Sequence, residues 1–280
     1  MRLTIDTERP DRLDRMIARL VPGLSRGAAR RLVAAGAVFV NGRRSRIASR
    51  LVSPGDVLSL ETRTPPAATD PLTILYEDEA VIAVDKPPGM PAAPTRVAAL
   101  GTASDLLQRQ LRRRDRVPVR VWLVHRLDAP ASGVIVFAKT RAAARALGHA
   151  FRERHVDKVY VAEVEGAVAG ETGRIEQPLR SLGRKTVADA GGQPARTDWH
   201  VLRRAGSTTL LELRPHTGRM HQLRAHLSAS GHPIVGDRLY GGPPGRRLML
   251  HALRIGFAHP EREATLDIAS PWPAEFGPAP

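Results

Sequence analysis

The chain has 280 residues, of which 43 are lysine or arginine and 28 are aspartate or glutamate, so its formal net charge at pH 7 is +15. This excess predicts a polyanionic partner, and a nucleic acid is favoured over an anionic membrane surface. The chain has no cysteine, which excludes disulfides, thiolate nucleophiles and cysteine-ligated zinc. All but four of the basic residues are arginine; this preference suits phosphate recognition, and a bias towards arginine codons explains it equally well.

The length and hydrophobic content of the chain fit one catalytic-sized core plus a small additional module. Residues 1–6 lack a long apolar stretch after Arg2, and no apolar run elsewhere in the sequence is long enough for a membrane span. We therefore expect neither secretion nor membrane insertion, and we predict a cytoplasmic protein that acts as a monomer.

Residues 11–60 have the pattern of a compact αα-ββ module. A helix is predicted near residues 11–20, and Ser25 is the predicted N-cap of a second helix that ends at Gly36. A hairpin follows, in which strand 37–40 meets a tight Asn-Gly turn at residues 41–42, and a strand at residues 57–60 closes the module.

The second helix of this module and the segment after it carry seven arginines and no acidic residue between them. A solvated charged surface is the plain interpretation, but the concentration of one charge favours RNA binding. The residues that we assign to RNA binding are Arg26, Arg30, Arg31, Arg43 and Arg44.

Residues 63–70 are rich in proline and poor in large apolar side chains, which predicts a linker between a domain of residues 1–62 and a domain of residues 71–280. Short β-type runs dominate the second domain, at residues 72–76, 80–84, 120–124, 133–138, 159–164, 208–213, 250–257 and 264–268. Helices are predicted from Thr102 or Ser104 to Leu111, from Thr140 to about Phe151 and from Thr217 to Ser230. Because strands and helices do not alternate regularly, we predict an α+β fold with a mixed, mostly antiparallel sheet.

Several common chemistries do not fit the sequence. Residues 133–140 resemble a phosphate-binding loop, but Ala138 occupies the place of its second glycine. No Gly-x-Ser-x-Gly nucleophile elbow occurs. His216, His221, His226 and His232 are spaced by five or six residues and do not share one helical face, so no metal site is predicted.

Two segments are dense in polar groups that a hydrophobic core does not require. The first is residues 125–133 (His-Arg-Leu-Asp-Ala-Pro-Ala-Ser-Gly), which lies between two apolar strands. The second is residues 214–227, which continues into residues 231–241. Met220, Leu223 and Leu227 are spaced to bury one helical face, and Gln222 and Arg224 are predicted to point elsewhere. A buried Arg224 requires a carboxylate, and we predict that Asp128 supplies it, although Arg126 and Asp128 alone fit a surface pair at a turn.

With these motifs the chain resembles the RluA-type family of RNA pseudouridine synthases. The resemblance rests on residues 85–89 (Asp-Lys-Pro-Pro-Gly), on the His-Arg-Leu-Asp segment with Ser132-Gly133, on residues 217–241 and on the strand at residues 158–166. Residues 11–60 resemble the RNA-binding module named after ribosomal protein S4. The chain departs from the family pattern at Ala131, at Met220 and after Gly89, where many relatives carry a histidine.

The resemblance implies roles for individual residues. Asp128 is the implied nucleophile, Tyr160 stacks on the base and moves the final proton, and Arg224 pairs with Asp128. Arg126 fills the gap left by a flipped nucleotide. From the same motifs we assign substrate contacts to His125, Arg219, His221 and Gln222. Attack on the uracil ring, attack on the ribose carbon and a glycal route all stay open.

No metal or other cofactor is expected, and the expected partner is structured RNA, ribosomal RNA of the large subunit rather than transfer RNA. Three alternatives remain at this point. The first is a pseudouridine synthase that acts on transfer RNA. The second is a non-catalytic RNA-binding factor in ribosome assembly, and the third is a metal-dependent RNA hydrolase that a chelator inactivates.

Overall fold

The computed structural model describes residues 2–4, 9–21, 24–34, 36–60, 71–93, 101–117 and 119–280. They group into two compact units, one within Met1–Pro71 and Ala93–Leu106 and the other within Leu72–Ala92 and Leu107–Pro280. The predicted linker at 63–70 lies outside the described residues. Within the described ranges, every helix is too short or too polar to cross a membrane.

Among the described residues, the first unit contains two complete helices and six short strands. The helices are α1 (Leu13–Leu20) and α2 (Arg26–Ala34), and the strands are β1 (Arg2–Thr4), β2 (Asp11–Arg12), β3 (Val38–Val40), β4 (Arg43–Ser45), β5 (Leu51–Val52) and β6 (Val57–Leu60). Antiparallel strands form a sheet in the order β1-β6-β3-β4, and β2 pairs with β5. Leucine, isoleucine and valine side chains of both helices and of β3 and β6 form its buried core.

Local signals in this unit act as the sequence predicts. The Ser25 hydroxyl accepts a hydrogen bond from the Ala28 amide at 3.2 Å, which caps α2. Asn41 and Gly42 have φ angles of 51° and 76°, the left-handed values that a tight hairpin turn needs. The first helix starts two residues later than predicted, because Asp11 and Arg12 pair with β5 instead.

The second unit holds the large sheet and most of the remaining elements. They are β7 (Thr73–Glu77), β8 (Val81–Lys86), α3 (Ala103–Asp115, its first turn grouped with the first unit), β9 (Trp122–Leu123), β10 (Ser132–Ala138), α4 (Arg141–Arg152), β11 (Val156–Glu165), β12 (Thr172–Glu176), β13 (Leu179–Leu182), β14 (Lys185–Ala188), β15 (Arg196–Ala205), β16 (Thr208–Pro215), α5 (Gln222–Ala229), β17 (Leu250–Ala258), β18 (Thr265–Ala269) and a 3₁₀ turn at Ala274–Phe276.

Ten strands form one mixed sheet in the order β12-β15-β16-β11-β17-β10-β8-β7, with β18 paired to β17 and β9 paired to β10. Among the described strands of this sheet, β10 and β17 pair in parallel and all other neighbours are antiparallel. The predicted α+β class with a mostly antiparallel sheet is therefore confirmed. Strand β10 is buried along its whole length, which explains its uninterrupted apolar sequence.

The structure differs from the sequence prediction at three places. Helix α3 continues to Asp115, and α5 begins at Gln222 rather than at Thr217. Strands β12 to β15 were not predicted, because little of their surface is buried. In the hairpin β13–β14, Leu179 and Thr186 are the buried positions, and a bulge interrupts the alternation of β15.

Gly133 lies where the backbones of β10 and β17 approach most closely, and we predict that Gly133→Ala destabilises the protein. Its φ is 113°, and an added Cβ would lie 2.2 Å from the carbonyl oxygen of Ala252. We expect strain and overlap together to lower the free energy of unfolding by roughly 2–4 kcal/mol. Gly183→Ala is the matched control, since its φ is 61° with no atom near the added Cβ, and it should cost about 1 kcal/mol. Equal costs in urea denaturation would contradict the proposed overlap.

Candidate active site

Asp128 and Arg224 meet at an ion pair in the second unit. Asp128 lies on the loop before β10, and Arg224 lies in the first turn of α5. The Arg224 Nη1 group donates to Asp128 Oδ2 at 3.2 Å, and the exposed fractions of the two side chains are 6% for Arg224 and 25% for Asp128. The structure thus brings together two residues that are 96 positions apart in sequence, and it leaves the carboxylate within reach of solvent.

A second carboxylate holds the other edge of the Arg224 guanidinium. Arg224 Nε and Nη2 donate to the two oxygens of Asp237 at 2.7 and 2.8 Å. Asp237 is fully buried, and one of its oxygens also accepts from the backbone amides of Leu239 and Tyr240. The sequence interpretation supplied Arg224 with one carboxylate and missed Asp237. A buried guanidinium has five N–H donors and needs several acceptors, and this requirement could have indicated a second carboxylate such as Asp237.

The start of α5 differs from the prediction and gives Gln222 a different environment. Gln222 is buried, its amide oxygen accepts from the Thr217 hydroxyl at 2.6 Å, and its amide nitrogen donates to the carbonyl of Arg196 at 2.9 Å. Met220 lies before the helix and is exposed. Met220 therefore does not share the buried helical face predicted for it with Leu223 and Leu227, whereas Gln222 and Arg224 are both enclosed within the unit.

His221 is connected to Asp128 on one side and to Tyr240 on the other. Its Nε2 lies 3.9 Å from Asp128 Oδ1, and its Nδ1 lies 3.1 Å from the Tyr240 hydroxyl. That hydroxyl accepts a hydrogen bond from the Thr186 amide at 2.8 Å, so its single proton is free to point to Nδ1. Burial lowers the pKa of His221. If that proton points to Nδ1, the neutral ring carries its own proton on Nε2, facing Asp128.

Tyr160 occupies the centre of β11, between Leu213 of β16 and Ala252 of β17. Burial raises the pKa of Tyr160 well above its usual range, and the negative charge of Asp128 raises it further. The phenol is consequently protonated at neutral pH. It offers a ring face and a hydrogen-bond donor within the electrostatic reach of Asp128.

The other residues assigned to substrate contacts are spread more widely. Arg126 is exposed. His125 Nε2 accepts from the Val136 amide at 3.0 Å, and its ring stacks on Phe151 with centroids 4.6 Å apart. Burial lowers the pKa of His125 to about 3, so its ring is a neutral part of the packing. Arg219 Nε donates to the carbonyl of Pro194 at 3.1 Å.

Lys86 is a buried lysine in the Asp-Lys-Pro-Pro-Gly motif of residues 85–89, and no role was predicted for it from the sequence. Its ammonium group donates to the backbone carbonyls of Pro87 and Met90, just after β8, and to those of Ala129 and Ala131, just after Asp128. Burial lowers the pKa of Lys86 to about 7, although Asp128 and Asp85 oppose this effect. The contacts fix the backbone immediately after Asp128.

In the first unit, the buried Asp14 organises part of the predicted RNA-binding surface. It accepts hydrogen bonds from Arg12, Arg26 and Arg30 at 2.7–3.1 Å. Burial alone would raise the pKa of Asp14, but the three guanidinium groups outweigh it and hold that pKa below its usual range. Arg26 and Arg30 are therefore partly neutralised.

The other arginines assigned to RNA binding lie on the surface of the same unit. Arg31 and Arg43 are exposed, and Arg44 lies over the ring of Phe39 at 5.1 Å.

In the part of the chain that the structure describes, no group of three or more His, Asp or Glu is placed to hold a metal ion.

The second unit thus combines a mixed sheet with an accessible Asp–Arg pair and a partly buried tyrosine, and the first unit is a small basic module, a combination that fits an enzyme acting on a polyanion. Comparison with known proteins specifies the class further. The model of the RNA pseudouridylate synthase family matches residues 80–229, and the model of the S4 domain matches residues 11–58.

Relatives with similar sequences carry matching descriptions. The chain is 38% identical to the dual-specificity RNA pseudouridine synthase RluA of Escherichia coli, over 76% of this chain and 99% of that protein. It is 33% identical to the ribosomal large subunit pseudouridine synthase D of Neisseria meningitidis, over 95% and 76% of the two chains. The solved structure of human RNA pseudouridylate synthase domain containing 4 covers 73% of this chain and 90% of its own, with 27% identity and a TM-score of 0.62.

The chain belongs to the RNA pseudouridylate synthase family, in its RluA-type branch, and has an N-terminal S4 domain. It is an isomerase that acts on RNA.

We predict that Tyr240→Phe releases the His221 ring from a single tautomer. The variant removes the proton donor to Nδ1 and leaves the buried Thr186 amide without its acceptor, which should cost about 1–2 kcal/mol of stability. The ring nitrogen chemical shifts of His221, measured by NMR at pH 8, should indicate the Nε2–H form in the wild type and a mixture in the variant. An unchanged Nε2–H form in Tyr240→Phe would show that another group fixes the tautomer.

Proposed function

We propose that the chain converts uridine to pseudouridine in large-subunit ribosomal RNA, with Asp128 as the nucleophile. The observation that carries the proposal is the Asp128 carboxylate, which is partly open to solvent and 3.2 Å from a guanidinium that is itself buried. A carboxylate in this setting forms and later releases a covalent bond without a metal or a cofactor. The Arg224 guanidinium beside it stabilises the negative charge of the Asp128 carboxylate before the covalent bond forms and again when that bond breaks.

The isomerisation moves the uracil from one attachment to another. The bond between N1 and the ribose C1′ breaks, a bond between C5 and C1′ forms, and the proton of C5 is lost while N1 gains one, so the composition of the nucleotide is unchanged. Attack of Asp128 on the uracil ring, attack on C1′ and assisted loss of the base through a glycal each satisfy this balance. All three routes require the detached uracil to turn within a closed pocket that excludes water.

The neighbours of Asp128 supply the other roles in this proposal. Tyr160 stacks on the uracil and moves the final proton: its protonated phenol donates a proton to N1, and the resulting phenolate accepts the proton that C5 loses. Arg224 orients the carboxylate, and His221 presents Nε2–H to its other oxygen. Arg126, exposed two residues before Asp128, replaces the target base in the RNA stack, which offsets part of the few kcal/mol that base flipping costs.

Ribosomal RNA is favoured as the substrate because of how far each relative extends along this chain. The relative named for the ribosomal large subunit matches 95% of the chain, whereas the dual-specificity relative matches 76%. The S4 domain adds a basic surface that a larger RNA contacts away from the target. The same chemistry on transfer RNA is the alternative that the experiment below distinguishes.

Asp128→Asn should abolish pseudouridine formation, by at least about 10³-fold, because the amide is not nucleophilic. The readout is a map of pseudouridines in total RNA from cells that lack the gene and carry either the wild type or the variant. We expect a large-subunit uridine that only the wild type modifies. Asp115→Asn, which alters an exposed carboxylate paired with Arg114, should behave as the wild type.

Each other outcome of this map overturns a specific part of the proposal. Modification that persists in Asp128→Asn removes Asp128 from the chemistry. Wild-type-dependent sites found solely in transfer RNA leave the chemistry intact and overturn the choice of substrate.

In the S4 domain, we expect Arg31→Gln with Arg43→Gln to weaken RNA binding, since these side chains are exposed and belong to none of the ion pairs in the described residues. The loss of two phosphate contacts should reduce the slope of log K against log salt by about 1.4 for single-stranded RNA. Arg15→Gln with Arg19→Gln removes the same charge from α1 and is the control. If both pairs of substitutions lower the slope equally, overall charge and not this surface binds RNA.

A further inference from the structure

The outer face of α4 carries a row of basic side chains. Arg141, Arg145, His149 and Arg152 follow one another at intervals of four, four and three residues and are all exposed, whereas Ala143 and Leu147 are buried on the opposite face. At 3.6 residues per turn these intervals place the four side chains on one side of the helix, with successive charges about 6 Å apart along its axis. We call these four residues the α4 stripe.

The arginines of the α4 stripe differ from the arginines of this unit that are held in ion pairs. Arg174 pairs with Asp198, Arg204 pairs with Glu171, and Arg254 pairs with Asp157 and Asp267. Arg141, Arg145 and Arg152 take part in none of the ion pairs found among the described residues.

Two acidic residues flank α4, one at each end. Glu261 accepts from the Thr140 hydroxyl at the start of α4, and Glu153 follows the helix. The charge of the α4 stripe is therefore largely uncompensated by the protein, which is the arrangement expected of a surface that binds an anion.

The α4 stripe ends beside the catalytic loop. Phe151, next to Arg152, stacks on His125 with the two rings 15° from parallel. His125 is followed directly by Arg126 and, three residues on, by Asp128. An RNA strand whose target nucleotide reaches Asp128 therefore passes close to the C-terminal end of α4.

We propose that the α4 stripe binds backbone phosphates of the RNA that flanks the target nucleotide. This inference rests on the proposed function of Asp128, because it takes the loop of residues 125–128 as the place where the target is held. Besides the α4 stripe, the exposed side chains of α4 are two alanines, Ala142 and Ala146. A protein partner normally needs larger apolar anchors, whereas repeated single charges suit a phosphate backbone.

The test compares two triple variants of the full chain. Arg141→Gln/Arg145→Gln/Arg152→Gln removes three charges from the α4 stripe. Arg174→Gln/Arg204→Gln/Arg254→Gln removes three charges that carboxylates already neutralise. Binding is measured with a fluorescently labelled single-stranded RNA of mixed sequence over a series of salt concentrations. The first variant should reduce the slope of log K against log salt by about 2, at about 0.7 for each lost phosphate contact, and the second by less than about 0.5.

Turnover on total RNA from cells lacking the gene provides the second readout. The α4 variant should raise KM about tenfold or more and leave kcat within about twofold, because the lost contacts bind substrate and transition state equally. An unchanged salt slope in the α4 variant, or equal changes in both triple variants, overturns the proposal. The binding assay requires no turnover, so its outcome is independent of whether Asp128 proves to be the nucleophile.

Discussion

The guanidinium of Arg224, enclosed between Asp128 and Asp237, is the interaction on which the arrangement of the site depends. A buried arginine is costly unless each of its edges meets an acceptor. Asp237 takes two of its N–H groups and Asp128 takes a third. The difference between the two carboxylates is one of access, since Asp237 is sealed and Asp128 is partly open. Asp237 therefore holds the cation in place, and Asp128 keeps one edge of its carboxylate open to solvent.

Elements far apart in the sequence converge on this cation. The Arg224 guanidinium lies over the ring of Tyr240 at 4.9 Å, and Lys185 of β14 approaches the same ring at 5.2 Å. The hydroxyl of that tyrosine joins the Thr186 amide to His221. The hairpin β13–β14 is thereby connected to the imidazole that faces Asp128. The hairpin is a two-stranded sheet of its own, so it contacts the site through these hydrogen bonds and ring contacts and not through pairing with the large sheet.

The sequence predicted most of what local chemistry determines. The cap at Ser25, the turn at residues 41–42 and the apolar strand β10 follow from short-range rules, and the mostly antiparallel sheet follows from the order of such elements. The pairing of Asp128 with Arg224 was predicted because a buried charge demands a partner. Asp237 was missed because the need of a buried guanidinium for a carboxylate does not fix the number of carboxylates that bind it. Met220 was misplaced because a left-handed residue, His221 with φ 52°, delays the start of α5, and no pattern of apolar residues indicates such a residue.

Because Lys86 holds the Asp128 loop through backbone atoms, the side chains of the bound segments can be substituted without loss of these contacts. The lysine contacts carbonyl oxygens alone, and every amino acid possesses that atom. Replacement of a side chain at Met90, Ala129 or Ala131 therefore leaves the acceptor in place. Side chains on the loop can therefore change without loss of the contacts that fix the depth of the Asp128 carboxylate.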